Sequence, residues 1–68
     1  MELREIFATN LRRLRSQKKL SQEALAHEAK IDRTYVSALE RGVYSASLDT
    51  IADIAKALDV EPHEMLRP

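Results

Sequence analysis

Apolar residues recur along this chain at spacings of three and four, which is the period of a helix buried along one side. The first stripe predicts helix 1, from about Glu2 to Lys18, and consists of Leu3, Ile6, Phe7, Leu11 and Leu14. A later stripe predicts helix 4 and consists of Leu48, Ile51, Ile54, Ala55 and Leu58. No segment shows the sustained period-two alternation of a half-buried strand. The pattern therefore predicts an all-α fold.

Two short helices with a tight turn between them are predicted in the middle of the chain. Ser21 and Asp32 are good N-cap residues, because their side-chain oxygens accept backbone amides that would otherwise lack a partner. They place helix 2 at residues 22–29 and helix 3 from Asp32 to about Arg41, with the turn at residues 30–31. The inner face of helix 2 is small and apolar, so another helix can approach it closely, and it consists of Leu25, Ala26 and Ala29.

The second half of the chain carries further local signals. Gly42 is the only glycine, and it follows helix 3, where a left-handed residue commonly ends a helix. Ser47 caps helix 4 after a loop over residues 43–46. Pro62 suits the first position of a short helix 5 that begins at Glu61. These elements predict one compact five-helix domain over residues 1–68.

Composition limits what such a domain can do. A chain of 68 residues without cysteine must fold on a small apolar core, with no disulfide and no thiolate metal site. No apolar run approaches the roughly 18 residues of a membrane span, and the N-terminus is too charged for a signal peptide. We therefore expect a cytoplasmic protein with no membrane partner. His27 and His63 have no second ligand at helical spacing, and no catalytic constellation stands out, so we expect no metal, no cofactor and no enzymatic activity.

The charges cancel overall but are polarised along the chain. Lys and Arg together number 11, and Asp and Glu together also number 11, so the net charge is zero. From Asn10 to Arg41 there are eight basic against four acidic residues, and from Gly42 to Pro68 there are two against five. A basic side can attract phosphate while an acidic side faces away. The alternative is that these charges only solvate a small helical domain.

The order of these elements resembles the Xre-type helix-turn-helix family, which includes phage repressors, Cro proteins and the controller proteins of restriction–modification systems. The matching motifs span about residues 10–66 and are L-R-R-L-R, L-S-Q-E-A-L-A, Y-V-S-A-L-E-R-G and S-L-D-T-I-A-D-I-A-K-A-L-D-V. The segment I-D-R-T-Y-V-S-A-L-E-R looks especially like the controller proteins. The resemblance implies that helix 3 enters the major groove of DNA while helix 2 crosses the backbone. It also implies an ion pair between Arg15 and Glu40.

Base contacts are predicted on the outer side of helix 3, at Arg33, Thr34, Ser37 and Ala38. Arg33 is the main candidate, because a guanidinium can bond both O6 and N7 of guanine. The alternatives for Arg33 are a phosphate contact or a solvated side chain. Thr34 suits a phosphate or a thymine methyl, and Ser37 suits a base edge or a water. Ala38 can make only apolar contact, with a thymine methyl as its expected partner.

Contacts to the DNA backbone are predicted at Gln22, Lys30, Tyr35, Arg41, Tyr44, Ser45 and Ser47. The amide of Gln22 can donate to a phosphate, and Ser47 lies at a helix N-terminus, where free backbone amides bind phosphate. Tyr35 flanks the inner face, so it either packs on the core or reaches the backbone. Arg12, Lys18 and Lys19 are further candidates for a basic edge.

The chain departs from the resembled family at three positions. Lys19 and Lys30 stand where glycine is frequent, and Tyr44 stands where a basic residue is frequent. If the backbone at either lysine is left-handed, its cost is roughly 1–2 kcal/mol. We therefore expect the turn to be intact but strained.

Together these patterns predict a sequence-specific DNA-binding transcriptional regulator, a repressor or autoregulator without a small-molecule effector. One small domain reads few base pairs, so we expect a homodimer on a palindromic operator in double-stranded DNA. Met65 and Leu66, with the adjacent end of helix 4, are candidates for the dimer interface; alternatively, they close the core beneath helix 1. The alternative function is a small protein-interaction module, such as an antitoxin, with DNA binding secondary.

Overall fold

The computed structural model describes residues 2–68, and this part of the chain contains helices but no strand. Its elements are α1 (Leu3–Gln17), α2 (Gln22–Ala29), α3 (Arg33–Glu40), α4 (Leu48–Leu58) and a 3-10 helix (Pro62–Leu66). The all-α prediction is thus confirmed. The predicted fifth helix is a five-residue 3-10 helix, in which the Glu64 amide donates to the Glu61 carbonyl at 2.9 Å. So short a segment, opened by a proline, favours this tighter bonding.

The three predicted N-caps are confirmed by their hydrogen bonds. Ser21, Asp32 and Ser47 each accept the backbone amide of a residue two or three positions later, at 3.0, 2.7 and 3.0 Å. These short-range bonds fix where α2, α3 and α4 begin. They explain why the start of each of these helices could be predicted from the sequence.

All four α-helices end in the same way, with one left-handed residue followed by an apolar residue. The left-handed residues have φ between 59° and 72° and are Lys19, Lys30, Gly42 and Asp59. The amide of the residue that follows each one donates back to a carbonyl five positions earlier, at 3.0–3.1 Å, and these donors are Leu20, Ile31, Val43 and Val60. This is the Schellman motif, which satisfies carbonyls that the helix leaves free.

Three of these four helix ends are therefore formed without glycine. Leu20, Ile31 and Val60 pack against the hydrophobic core, so burial of the apolar residue after the left-handed position helps to fix the helix end. The turn between α2 and α3 is intact, and Lys30 in it has φ 60°. A non-glycine residue in this conformation costs about 1–2 kcal/mol.

Replacement of Lys30 by glycine is expected to stabilise the domain by about 1 kcal/mol. Relief of the left-handed conformation exceeds the extra backbone entropy that glycine has in the unfolded chain. Chemical denaturation would show a higher midpoint with an unchanged slope. Lys30→Ala is the matched control, because it removes the same charge but keeps a Cβ. Equal stability of the glycine and alanine variants would contradict the prediction.

The core lies where α1, α2, α3 and α4 converge above the 3-10 helix. Its fully buried side chains include Leu11, Leu25, Val36, Leu39, Ile54, Leu58 and Met65. α2 packs against α3 and α4, while α1 packs against α3 and the 3-10 helix. Met65 is 0% exposed, so its prediction as a dimer-interface residue is wrong. Its side chain closes the core, as the alternative interpretation had it.

Two residues of the predicted apolar stripes are largely exposed. Leu3 is 59% exposed and Leu48 is 83% exposed. Each is the first residue of its helix, beyond the point where a neighbouring helix covers the stripe. The prediction that both belong to the core is wrong.

Asn10 is a buried polar residue that anchors the end of the chain. It is 5% exposed, and its Nδ2 donates to the carbonyls of Met65 at 2.9 Å and Arg67 at 2.8 Å. Its Oδ1 accepts Arg13 Nη2 at 3.1 Å. The sequence did carry a signal for this role, because Asn10 lies between Phe7 and Leu14 on the apolar face of α1.

Candidate nucleic-acid interface

The exposed part of α3 is its N-terminal end. Arg33 and Thr34 are exposed, and Tyr35 and Ser37 are partly buried. Ala38 is 3% exposed, so the prediction that it lies on the outer side of the helix and contacts a base is wrong. The reason is that α1 packs against α3, and the chain turns back over residues 41–43 after the helix ends. Any surface of α3 that could contact bases is therefore limited to its first turn and a half.

The last residue of α3 is the centre of a buried polar network. Glu40 is 4% exposed, and its carboxylate forms an ion pair with Arg15 of α1. Arg15 Nε donates to Oε2, and Arg15 Nη2 donates to Oε1 at 3.1 Å. This fork of two bonds fixes the orientation of both groups. The guanidinium also donates through Nη1 to the Leu20 carbonyl at 2.8 Å, so α1, α3 and the α1–α2 turn are held together.

Gln22, the first residue of α2, joins the same network. Its Nε2 donates to Glu40 Oε1 at 3.0 Å. This bond could not be predicted from the sequence, because the two residues are 18 positions apart and no spacing pattern relates them. Gln22, which is predicted to contact phosphate, is thus hydrogen-bonded to the last residue of α3, the helix predicted to contact bases.

The other predicted backbone-contact residues lie on the surface. The exposed ones are Lys30, Arg41, Tyr44, Ser45 and Ser47. Tyr35 is partly buried and packs against the core. Ser47 Oγ accepts the Thr50 amide and donates to Thr50 Oγ1 at 2.9 Å. No hydrogen bond within residues 2–68 connects these side chains to one another.

The structure divides the basic residues into two groups. Arg12 donates to the Glu40 carbonyl, Arg13 bonds Asn10, and Arg15 is in the buried ion pair. Lys18 lies 3.9 Å from Asp59. The cations without an ion pair to any carboxylate in residues 2–68 include Lys19, Lys30, Arg33 and Arg41. No contacting carboxylate in the described part of the chain neutralises these four charges, and Arg41 also donates through Nε to the Ser37 carbonyl at 3.4 Å.

A second surface is apolar and lies beside the loop before α4. Exposed Leu3, Tyr44 and Leu48 meet there around a groove of about 190 Å³. Its floor and walls also include Phe7, Ile51 and Leu66. An exposed apolar patch of this kind commonly marks an interaction surface. The predicted interface residue Leu66 is therefore part of a larger surface at the start of α4.

No helix within residues 2–68 has the length and apolar character to cross a membrane.

Comparison with known proteins gives consistent matches over almost all of the chain. The family model described as Helix-turn-helix (HTH_3) matches residues 11–65. Control protein C.BamHI of Bacillus amyloliquefaciens is 45% identical over 65 residues, which cover 94% of this chain and 80% of that protein. These matches do not favour the interaction-module alternative.

Solved structures agree with the sequence comparison. The hypothetical transcription factor NHTF from Neisseria superimposes with a TM-score of 0.95 at 43% identity, covering 98% of this chain and 77% of that one. The restriction-modification controller protein C.AhdI from Aeromonas hydrophila gives a TM-score of 0.89 at 47% identity, covering 91% and 94%. The chain is a DNA-binding transcriptional regulator and belongs to the Xre-type helix-turn-helix family.

Proposed function

We propose that this protein is a repressor or autoregulator that binds a palindromic operator as a homodimer, with the N-terminal end of α3 in the major groove. The observation that carries the proposal is the exposure of Arg33 and Thr34 in the first turn of a helix whose other residues are buried or partly buried. The Asp32 cap holds this turn in place. Base contact is assigned to Arg33, Thr34 and Ser37, and no longer to Ala38.

Contacts to phosphate are proposed around the N-terminal end of α3. Gln22 and Lys30 lie at the two ends of α2, and Arg41 follows α3. Tyr44, Ser45 and Ser47 lie in and after the loop that precedes α4, and each carries a hydroxyl that can donate to phosphate. Tyr35 is a weaker contact in this scheme, because its ring is partly packed on the core.

The similarity to C.BamHI and C.AhdI supports a controller-type role. The first is named a control protein and the second a restriction-modification controller protein. We propose the same class of function for this chain, with regulation through its own concentration and operator occupancy.

The dimer partner is proposed to be a second copy, bound through the apolar groove. Leu48 projects from the start of α4 at 83% exposure, beside a groove formed by the same surface. A projecting apolar side chain next to a groove can fill the same groove of a second copy about a two-fold axis, which is the contact that a symmetric dimer requires. The domain measures 29 × 22 × 21 Å, so copies packed side by side can place their α3 helices about one DNA turn, ~34 Å, apart.

Selection of bound sequences from a random duplex pool tests the proposal. A palindromic consensus with a guanine in each half is expected, because a dimer repeats the contact of Arg33. Binding to random duplex should also weaken steeply as salt rises. Absence of binding even at low salt would contradict DNA recognition altogether.

The Arg33→Ala variant is expected to bind the selected operator with about 1–3 kcal/mol less free energy and to lose its preference at one base pair per half-site. A competition titration with duplexes altered at that position measures both effects. Lys19→Ala is the matched control with the same charge change. It should weaken binding equally on all sequences and lower the salt slope by about 1. If Arg33→Ala also weakens binding equally on all sequences and lowers the salt slope, Arg33 contacts phosphate and not a base.

A further inference from the structure

The hydrogen bond between Gln22 and Glu40 connects the first residue of α2 to the last residue of α3. We propose that Glu40 is a positioning residue that holds the carboxamide of Gln22 in the orientation required to meet a DNA phosphate. This inference rests on the proposed function, since it concerns how one phosphate contact is made. It assigns Glu40 a role in DNA binding in addition to its ion pair with Arg15.

The carboxylate of Glu40 is itself rigidly held. It is 4% exposed, and both oxygens accept hydrogen bonds from Arg15. Oε1 receives Gln22 Nε2 at 3.0 Å in addition to Arg15 Nη2 at 3.1 Å. Because an ionised carboxylate only accepts, Gln22 must turn its nitrogen towards Glu40. The carboxamide therefore cannot flip without losing a charge-assisted bond.

One donor on Gln22 remains free for a ligand. The amide nitrogen carries two hydrogens, and only the bond to Glu40 is made by Nε2 within residues 2–68. The side chain is partly exposed and lies next to the Ser21 cap, at the N-terminus of α2. A phosphate at this position is favoured by the free backbone amides of the helix as well.

Fixing the carboxamide in the free protein strengthens the contact in the complex. A glutamine side chain that is mobile before binding loses rotamer freedom when it binds, whereas one already held in place loses less. The bond also couples two parts of the interface. A phosphate bound by Gln22 is tied through Glu40 to α3, so the backbone contact sets the position of the helix that carries Arg33.

A thermodynamic cycle tests this coupling. The four proteins are the wild type, Gln22→Ala, the double variant Arg15→Met with Glu40→Met, and the variant with all three changes. Replacing both partners of the ion pair keeps the net charge and leaves no unpaired buried charge. Folding is checked by circular dichroism before any binding measurement. The probe is a mixed-sequence duplex at low salt, since a phosphate contact is independent of sequence.

Gln22→Ala is expected to weaken binding about tenfold in the wild type and less than about threefold in the double variant, which is the non-additivity of coupled groups. The salt slope should not change, because glutamine is uncharged. Equal losses in both backgrounds would overturn the inference while leaving the proposed function intact. No loss in the wild type would overturn the inference and remove Gln22 from the proposed phosphate contacts, while operator recognition by α3 would stand. Failure of the wild type to bind any duplex would instead reject the proposed function.

A second measurement does not depend on the double variant folding. Gln17 and Gln22 are the only glutamines in the chain, and Gln17 is exposed at the end of α1. The side-chain amide of Gln22 should show nuclear relaxation close to that of the backbone, whereas that of Gln17 should be mobile on the picosecond-to-nanosecond timescale. Equal mobility of the two side chains in the free protein would overturn the inference.

Discussion

Replacement of Glu40 by alanine is expected to destabilise the domain by about 3–5 kcal/mol, because it leaves the charge of Arg15 without its partner in a largely buried position. Arg15 is only 19% exposed, and its fork of bonds to the carboxylate would be lost together with the bond from Gln22. Stabilities of small domains are about 5–15 kcal/mol in total. The variant should therefore be partly or largely unfolded at moderate temperature, and thermal unfolding followed by circular dichroism measures this directly.

The control for this prediction removes both charges at once. Arg15→Met with Glu40→Met should recover most of the lost stability, because apolar residues of similar volume often replace a buried ion pair without cost. If Glu40→Ala lowered the free energy of unfolding by less than about 1 kcal/mol, the Arg15–Glu40 pair would contribute no more than an exposed surface pair. Its burial would then have no effect on stability. The burial of Glu40 is what raises the predicted effect above that of a surface pair.

The second large effect is expected at the apolar groove. Leu48→Glu should abolish the dimer, since it places a charge at the most exposed apolar side chain of that surface. Loss of the second recognition helix removes the advantage of simultaneous binding, and operator affinity should fall by about 100-fold or more. Sedimentation velocity measures the association state, and titration of a palindromic duplex against a single half-site measures the affinity.

Leu48→Met provides a matched control at the same position. It keeps an apolar side chain of similar volume, so it should leave both the dimer and operator binding unchanged. Binding to an isolated half-site should be nearly equal for Leu48→Glu and the wild type. A dimeric Leu48→Glu protein would place the interface elsewhere on the molecule.

The features predicted correctly from the sequence are those set by neighbours in the chain. Ser21, Asp32 and Ser47 cap their helices through bonds that reach two or three residues ahead. The helical stripes identified most of the core, because helix geometry relates sequence spacing to one face. The family motif covers the same local units, which explains why the helix-turn-helix was recognised.

The features predicted wrongly depend on where the helices meet. Ala38 lies four positions after the exposed Thr34, which is the spacing of an outward residue. It is nevertheless buried, in a helix that packs against α1. Leu48 has the spacing of a core residue, yet no element covers the start of α4. The bond from Gln22 to Glu40 joins two helices. Helix periodicity gives a face to each residue, but tertiary packing decides which face is covered.

The left-handed residues at the helix ends have a consequence for how such a protein can evolve. At Lys19, Lys30 and Asp59 the helix stops although a side chain is present, and each of these side chains is exposed. The fold therefore tolerates either sign of charge at these sites, at a constant conformational cost that glycine would remove. Substitutions there can retune the electrostatic attraction for DNA in small steps while the core stays as it is. A lineage can in this way adjust how strongly its regulator holds an operator without first having to rebuild the domain.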